Sequence, residues 1–506
     1  MDCDVVIVGC GVAGLYAALN LPATSRVVML SKGELDECDS MLAQGGICVL
    51  PEGDDCDSFF EDTMRAGHFE NRRESVDIMI RSSRSVINDL VAFNREADGS
   101  LAFTREGAHA RPRIAFYRDV TGKAITSKLL ERVQQLPNVE ILDHTAMIDL
   151  LVEEGECRGV VACPVTEEQS VRTIDELMPE DATAPAAGDP AAGDPAAGTR
   201  PAPAFEIHAG ATLLATGGIG GVYQHSTNFP QLTGDAVYLA TKYGLETEHL
   251  DYVQIHPTGL YSQRPGRTFL ISESCRGEGA VLLNQAGERF VDELQPRDVV
   301  AAAIREQMRA DGSEHEWLSF APVDPAVVRE HFVNIRQRCL EEGRDILDEP
   351  IPVVPTQHYF MGGVRVDRDS ATSMPRLYAA GETSCNGVHG RNRLASNSLL
   401  EALVFSRQAA LDIAKKLPDA PKTFTAAEFP AKPNPQKIPK GLRTEIRQIM
   451  QDNYFVIPNK EKLPEGFRRI TEIRDQLLNG NYIVDADYVE AKSLATVAYI
   501  ILKEVL

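Results

Sequence analysis

The sequence predicts an α/β fold that opens on a dinucleotide-binding unit, and three observations carry this reading. Val5 to Val8 form a short continuous apolar run, the glycine-rich GCGVAG follows at residues 9 to 14, and a helical pattern through Leu15, Ala18 and Leu19 comes next, closed by Pro22. Such a run reads as a strand buried on both faces, and the pattern behind it as a helix returning the chain to a second strand, Arg26 to Leu30. Together they make a βαβ unit of about thirty residues.

Each part of the unit has a chemical reason. Gly9, Gly11 and Gly14 match GxGxxG, which lets the backbone turn tightly and approach a pyrophosphate resting on the helix N-terminus formed by Val12 and Ala13. The second strand runs into Ser31-Lys32, where such folds usually place an acid against a ribose. Two later segments extend the pattern. LLATGG (213 to 218) is a strand entering a glycine turn at Gly217 and Gly218, and LYAAGE (377 to 382) is a strand that delivers Glu382 beside a glycine. Glycine-bearing strands so far apart predict one nucleotide fold that is interrupted and then resumed, and FAD, which needs contacts from several strands, fits it better than NAD.

With 506 residues, two or three domains are expected. The net charge of -23 argues against nucleic-acid and anionic-membrane partners, because such surfaces need a basic field. Any anion site must therefore be locally basic in an acidic molecule. Ten cysteines without a CxxC pair argue against a metal or iron-sulfur centre held by this chain. The opening MDCDVVIVGCG carries acids where a signal peptide carries bases, and its apolar run is too short for a bilayer, so a cytoplasmic location is expected.

Residues 181 to 204, DATAPAAGDPAAGDPAAGTRPAPA, repeat Pro, Ala, Gly and Asp and cannot bury a core. Strand-like VVACPV and FEIHAGATLLATGG flank them, so the insertion is read as a lengthened hairpin loop. Six prolines between Pro418 and Pro439 mark a linker over 417–440. Beyond it, Leu442, Ile446, Ile449 and Met450 fall on one helical face, and the last twenty residues suit another helix.

The stretch TREGAHARPRI, 104 to 114, sets one acid, Glu106, among Arg105, His109, Arg111 and Arg113. It reads either as a surface salt bridge or as a basic ligand site in which the acid faces a positive group. His256, Ser272, His358 and Arg393 are donors in loop-like surroundings; singly each reads as a hydrogen-bonded structural residue, and together they suit two carboxylates. Arg297 reads either as a helix-start residue paired with Asp298 or Glu293, or as part of that site.

The motifs SMLAQGG (40 to 46), HPTGL (256 to 260), SESCRGEGA (272 to 280), PRDVVAAAI (296 to 304), QHYFMGGV (357 to 364) and HGRNRLASNSLLEAL (389 to 403) resemble the flavoprotein family of succinate dehydrogenase, fumarate reductase and L-aspartate oxidase, the last most of all. The resemblance implies an FAD-binding Rossmann-like domain in two parts, 1–232 and 351–416, an inserted α+β capping domain at 233–350, and a helical domain at 441–506. It implies FAD contacts from Ser40, Gln44, Gly45, Gly46, Glu382, Ser396, Asn397, Ser398 and Leu399. Respiratory relatives attach flavin through a histidine just before AQGG; here Asp39 stands at that place, so the FAD is expected to be non-covalent. His256, Ser272, His358 and Arg393 would bind the dicarboxylate, and Arg297 would transfer the proton, relayed by Glu293 or Glu273. An arginine can do so only when desolvated and wired to carboxylates, since its pKa exceeds about 12.

Glu106, in a TREGxH context, would face the ammonium of aspartate, which succinate lacks. The implied function is FAD-dependent oxidation of L-aspartate to iminoaspartate with reoxidation by oxygen or fumarate, opening de novo NAD biosynthesis with a hand-off to quinolinate synthase. Two other readings are a fumarate reductase or succinate dehydrogenase flavoprotein subunit, and a flavin-binding assembly subunit without catalysis.

Overall fold

The computed structural model describes all residues except 52–54, 89, 91, 92, 96–98, 166–203, 265 and 421–433. The opening unit is as the pattern predicts: β1 (Asp2–Val8), α1 (Val12–Asn20) and β2 (Val27–Leu30), with Val5 to Val8 paired parallel to Val27 to Leu30. Both apolar runs are buried, which explains why neither alternates: in a parallel sheet covered on two faces every side chain points into a core. The sheet continues through β3 (Val139–Leu142), β4 (Thr145–Glu153), β5 (Glu156–Pro164) and β6 (Phe205–Leu214), in the order β3-β2-β1-β6-β5-β4. β5 and β6 are antiparallel neighbours, as the strand-like flanks of the Pro-Ala-Gly-Asp repeat suggested. The repeat itself, apart from Ala204, lies outside the described residues.

The chain then leaves this sheet for a second layer. β7 (Val253–Leu260), α2 (Glu273–Gly277), β8 (Val281–Leu283), α3 (Arg297–Asp311), β9 (Glu316–Ser319) and β10 (Ile351–Phe360) build an antiparallel sheet in the order β7-β10-β9-β8. It has its own core of Leu260, Leu282, Ile304, Leu318 and Ile351. The β7–β10 pairing is irregular in two places: His358 is the extra residue between the pairs Gln254–Tyr359 and Ile255–Gln357, and a second shift follows His256. Bulges of this kind turn side chains out of the alternating register, and here they sit at both histidines.

β11 (Leu377–Ala379) rejoins the first sheet, parallel to β6, so the nucleotide fold is interrupted and resumed. The long helix α4 (Asn397–Lys416) then packs on α1. The tail holds three helices, α5 (Leu442–Asn453), α6 (Leu463–Asn479) and α7 (Ala486–Val505), of which the periodicity foretold the first and last. Leu442, Ile446 and Met450 are buried as expected, joining Ile473, Leu494 and Ile501. Ile219, Val222 and Tyr223, just past β6, belong to the same core, so the tail is seated on the first domain. Most of the proline-rich stretch, 421–433, lies outside the described residues. Among the described residues no helix is long and apolar enough to cross a membrane.

The glycines of the first turn are sterically required. Gly9 has φ of 117°, and a Cβ there would stand 2.1 Å from the Ala215 carbonyl oxygen. At Gly14 it would stand 2.0 Å from the Gly9 carbonyl oxygen, so this glycine allows α1 to lie against β1. Gly14→Ala is expected to destabilise the protein by about 1–3 kcal/mol, as overpacking does. Thermal unfolding will show a lowered midpoint; a midpoint equal to the parent would mean the close contact is not needed.

Candidate active site

One continuous cleft between the two sheets carries nearly all the predicted residues. At one end it is lined by Gly9, Gly11, Val12, Ala13, Ser31, Lys32, Ser40 and Gly217, in the middle by Gln44, Gly45, Gly46, Glu382, Ser396, Ser398 and Leu399, and at the other end by Glu106, His256, Ser272, Arg297, His358 and Arg393. Three expected cofactor residues do not line it. Gly14 serves helix packing, Gly218 makes room for Glu382, whose Oε1 would lie 2.2 Å from its Cβ, and the buried Asn397 donates from Nδ2 to Thr63 Oγ1 at 3.3 Å.

The first end fits a dinucleotide. α1 starts at Gly11 without a side-chain cap of its own, leaving first-turn N–H groups for a phosphate, although Ser40 Oγ accepts from Val12 N at 3.1 Å. Gln44 Oε1 and Asp39 Oδ2 are buried without a protein partner. A long cleft with a glycine cradle, an open helix N-terminus and unmet acceptors in its wall is what FAD requires. Asp39 takes Phe229 N on Oδ1 at 3.0 Å, and burial pushes its carboxyl up to about 7. Burial also pushes Glu382, which accepts from Phe360 N, up to about 8.

Gly45 and Gly46 bring the two ends together. A Cβ on Gly45 would lie 2.5 Å from Glu106 Oε1, and one on Gly46 would lie 2.3 Å from Ile114 Cγ2. Ser396, at φ of 61° before α4, accepts from Gly46 N at 3.2 Å and donates to Glu106 Oε2 at 2.6 Å. Glu106 is thus buried, 4% exposed, and its outward-facing salt-bridge alternative is excluded. Burial and the nearby Glu273 raise its pKa, and the Ser396 hydroxyl only partly opposes them.

The remaining charges are arranged around this acid. Arg297 opens α3 and donates from Nε to Glu273 Oε2 at 2.6 Å and from Nη1 to Gln254 Oε1 at 2.9 Å. Of the two carboxylates expected near Arg297, Glu273 is the one it touches. Glu293 instead takes Arg289 at 2.6 Å and Leu282 N at 2.9 Å. Asp298, the other suggested partner of Arg297, pairs with His68 at 3.1 Å. Burial pushes the Glu273 carboxyl up, but Arg297 and then Arg276 outweigh it and hold the group below the ordinary range.

Arg393 is 4% exposed and has no carboxylate at ion-pair distance among the described residues. It donates to Ser398 Oγ at 3.2 Å and lies 4.4 Å from the Tyr359 ring centre, while its Nε has no protein partner. Burial, then Arg297, depress its pKa to about 10. His256 and His358 are held well below the ordinary imidazole range, first by burial and then by Arg297, so both are neutral donors or acceptors near pH 7. Thr258 N donates to His256 Nδ1 at 3.2 Å, which places the proton on Nε2, and that atom is buried without a protein partner. Ser272 caps α2 and accepts from Ser274 N and Oγ, keeping its own proton for a ligand.

Gln254 and Arg276 were missed by motif reading. Gln254 donates from Nε2 to Asn392 Oδ1 at 2.7 Å and to the Arg393 carbonyl at 2.8 Å while accepting from Arg297, so one amide ties the loops of both arginines. The signal was its place two residues before His256 on one strand. Arg276 stands one helical turn after Glu273, 3.7 Å from it.

Chemically, the site is a buried cleft with an unpaired guanidinium, neutral imidazoles and a hydroxyl proton, which together match two carboxylates, beside a dinucleotide cradle. Residues 4–399 match the FAD binding domain family. The structure superposes on a fumarate reductase flavoprotein of E. coli with a TM-score of 0.82 at 25% identity, covering 99% of this chain and 88% of the other. The class is therefore that of an FAD-binding flavoprotein with the fumarate reductase fold. The L-aspartate oxidase of Clostridium perfringens is 44% identical over 81% of this chain and 86% of its own length, and that of Pseudomonas aeruginosa is 34% identical over 99% and 92%. The chain belongs to the L-aspartate oxidase branch of the succinate dehydrogenase and fumarate reductase flavoprotein family.

If Arg393 is an unmet cation that a dicarboxylate neutralises, succinate should raise the melting temperature of the protein by several degrees through mass action. Arg393→Ala is expected to abolish that increment. An undiminished increment in the variant would place the anion elsewhere.

Proposed function

We propose that the protein oxidises L-aspartate to iminoaspartate and passes the electrons to oxygen or fumarate, as the opening reaction of de novo NAD biosynthesis. The observation that carries this is Glu106, a buried carboxylate in the same cleft wall as Arg393, Arg297, His256 and His358. A succinate or fumarate site gains nothing from such an acid, which repels both ends of the ligand. Aspartate brings an ammonium, and a buried carboxylate with no ion-pair partner among the described residues gains a charge-assisted bond of about 1.5–3 kcal/mol from it.

FAD, when bound, supplies the two-electron acceptor for the hydride leaving the substrate Cα. The protein does the rest by position and charge. Arg393, with Ser272 and the neutral His256 and His358, clamps the two carboxylates and fixes the reacting carbon, converting a bimolecular encounter into an oriented one. Arg297 moves the proton at the reacting carbons. Its hydrogen bond to Glu273 gives the guanidinium a carboxylate with which to exchange that proton, and its burial keeps bulk water away from the pair. The cap segment 233–350 closes this space over the FAD-binding parts 1–232 and 351–416.

The absence of a histidine at Asp39 supports dissociable FAD and separates this chain from the respiratory subunits it resembles in fold. The product imine hydrolyses readily in water, which supports a direct hand-off to quinolinate synthase in the cytoplasm.

Anaerobic mixing tests the reading. L-aspartate should bleach the flavin; bleaching by succinate and not by aspartate would favour a fumarate reductase type of subunit, and bleaching by neither a non-catalytic one. Glu106→Gln is expected to raise the KM for aspartate by about tenfold or more while moving that for fumarate little. Because the Glu106 pKa is raised, acidification neutralises the carboxylate, so the aspartate KM should climb toward low pH in the parent and stay flat in Glu106→Gln. Equal effects on both substrates would remove the ammonium role. Arg297→Leu should stop turnover with FAD still bound, and residual activity in that variant would refute the proton-transfer assignment.

A further inference from the structure

We infer that the C-terminal helical unit sets how tightly the adenosine end of the cofactor is held, with Glu490 acting as a positioning residue on Lys32. This rests on the reading of the cleft as an FAD site. Lys32 stands two residues past the end of β2, where a dinucleotide fold places the residue nearest the adenosine ribose. Its ammonium is surrounded by the Gln231 carbonyl at 2.9 Å, Thr233 Oγ1 at 3.3 Å, Asp235 Oδ2 at 2.6 Å and Glu490 Oε1 at 3.2 Å. Four acceptors face three protons, so the cation has none left over for a ligand. It works as a rivet, joining the end of β2 to the segment 231–235, and both of these walls line the cleft.

The rivet is anchored from outside the nucleotide fold. Glu490 lies on α7, and its second oxygen takes Arg443 Nη1 of α5 at 2.6 Å; Arg443 in turn lies 3.4 Å from Asp487. A chain of alternating charge therefore runs from the cleft wall into the tail. Its members are well shielded, with side-chain exposures of 20% for Lys32, 6% for Glu490 and 1% for Arg443, so water screens them little. Asp235 and Glu490 would repel each other without the lysine between them. Replacing the Glu490 carboxylate with an amide removes two ion pairs but leaves Lys32 paired with Asp235 and Arg443 with Asp487, so each cation keeps one carboxylate while the lysine is free to shift toward Asp235 and move the adenosine wall.

An ordinary structural pair would change only thermal stability, so the test reads cofactor affinity. The full chain is dialysed against FAD or FMN, and bound flavin is measured for the parent and for Glu490→Gln. The expected result is a Kd for FAD raised about tenfold and a Kd for FMN unchanged, because FMN lacks the adenosine end. Turnover at saturating FAD should match the parent. Glu445→Gln, which removes the Arg469 partner at 2.6 Å on the outer part of the same helical unit, should leave both affinities alone. If Glu490→Gln does not fold, Glu490→Asp decides: a Kd for FAD raised severalfold over the parent with the Kd for FMN unchanged supports the inference, and parental FAD affinity overturns it. Parental FAD affinity in Glu490→Gln, or equal losses for FAD and FMN, also overturns it. A parent protein that binds no FAD would instead refute the reading of the cleft.

Discussion

A guanidinium taken out of water must find a counter-charge, and Arg393 has none within its own chain among the described residues. Its neighbour Arg297 has only Glu273 as an ion-pair partner among the described residues, and burial together with the Arg297 charge depresses the Arg393 pKa. The cleft is therefore most stable with an anion in it. Glu106 complicates that demand, because a second buried carboxylate opposes a pure dianion and calls for a ligand that carries both signs. His256 and His358 stay neutral chiefly because they are buried, and the nearby Arg297 keeps protons off them further.

This charge arrangement exists because an antiparallel sheet interrupts a mainly parallel one. β7 and β10 bring His256 and His358 into the cleft through irregular pairing, and α2 and α3 add Ser272, Glu273 and Arg297 at helix starts. The resumed fold returns Arg393 and Ser396 on the opposite side. Gln254 then holds the two halves in register, with one side-chain amide joining Arg297 to the Arg393 and Asn392 loop.

The tail is part of the same machine through a different route. α7 is buried over most of its surface and shares a core with the segment that follows β6, so it buttresses a wall of the cleft. The ion chain from Lys32 to Arg443 adds charge specificity to that apolar contact.

Sequence alone determined the elements whose signal is local. The Val5–Val8 run, the GxGxxG turn, the resumed strand at Leu377 and the apolar faces of the tail follow from period, glycine placement and burial, each legible over a few residues. The motifs also pointed to the site residues one by one, and all the expected substrate residues came to lie in one cleft. What they left open was pairing. Whether Arg297 joins Glu273, Glu293 or Asp298, whether Glu106 faces bulk water or the cleft, and that Lys32 pairs with Glu490, 458 positions later, are decided by contacts between distant segments. Only tertiary structure settles these, because electrostatic energy depends on distance and burial in space, and spacing along the chain fixes neither.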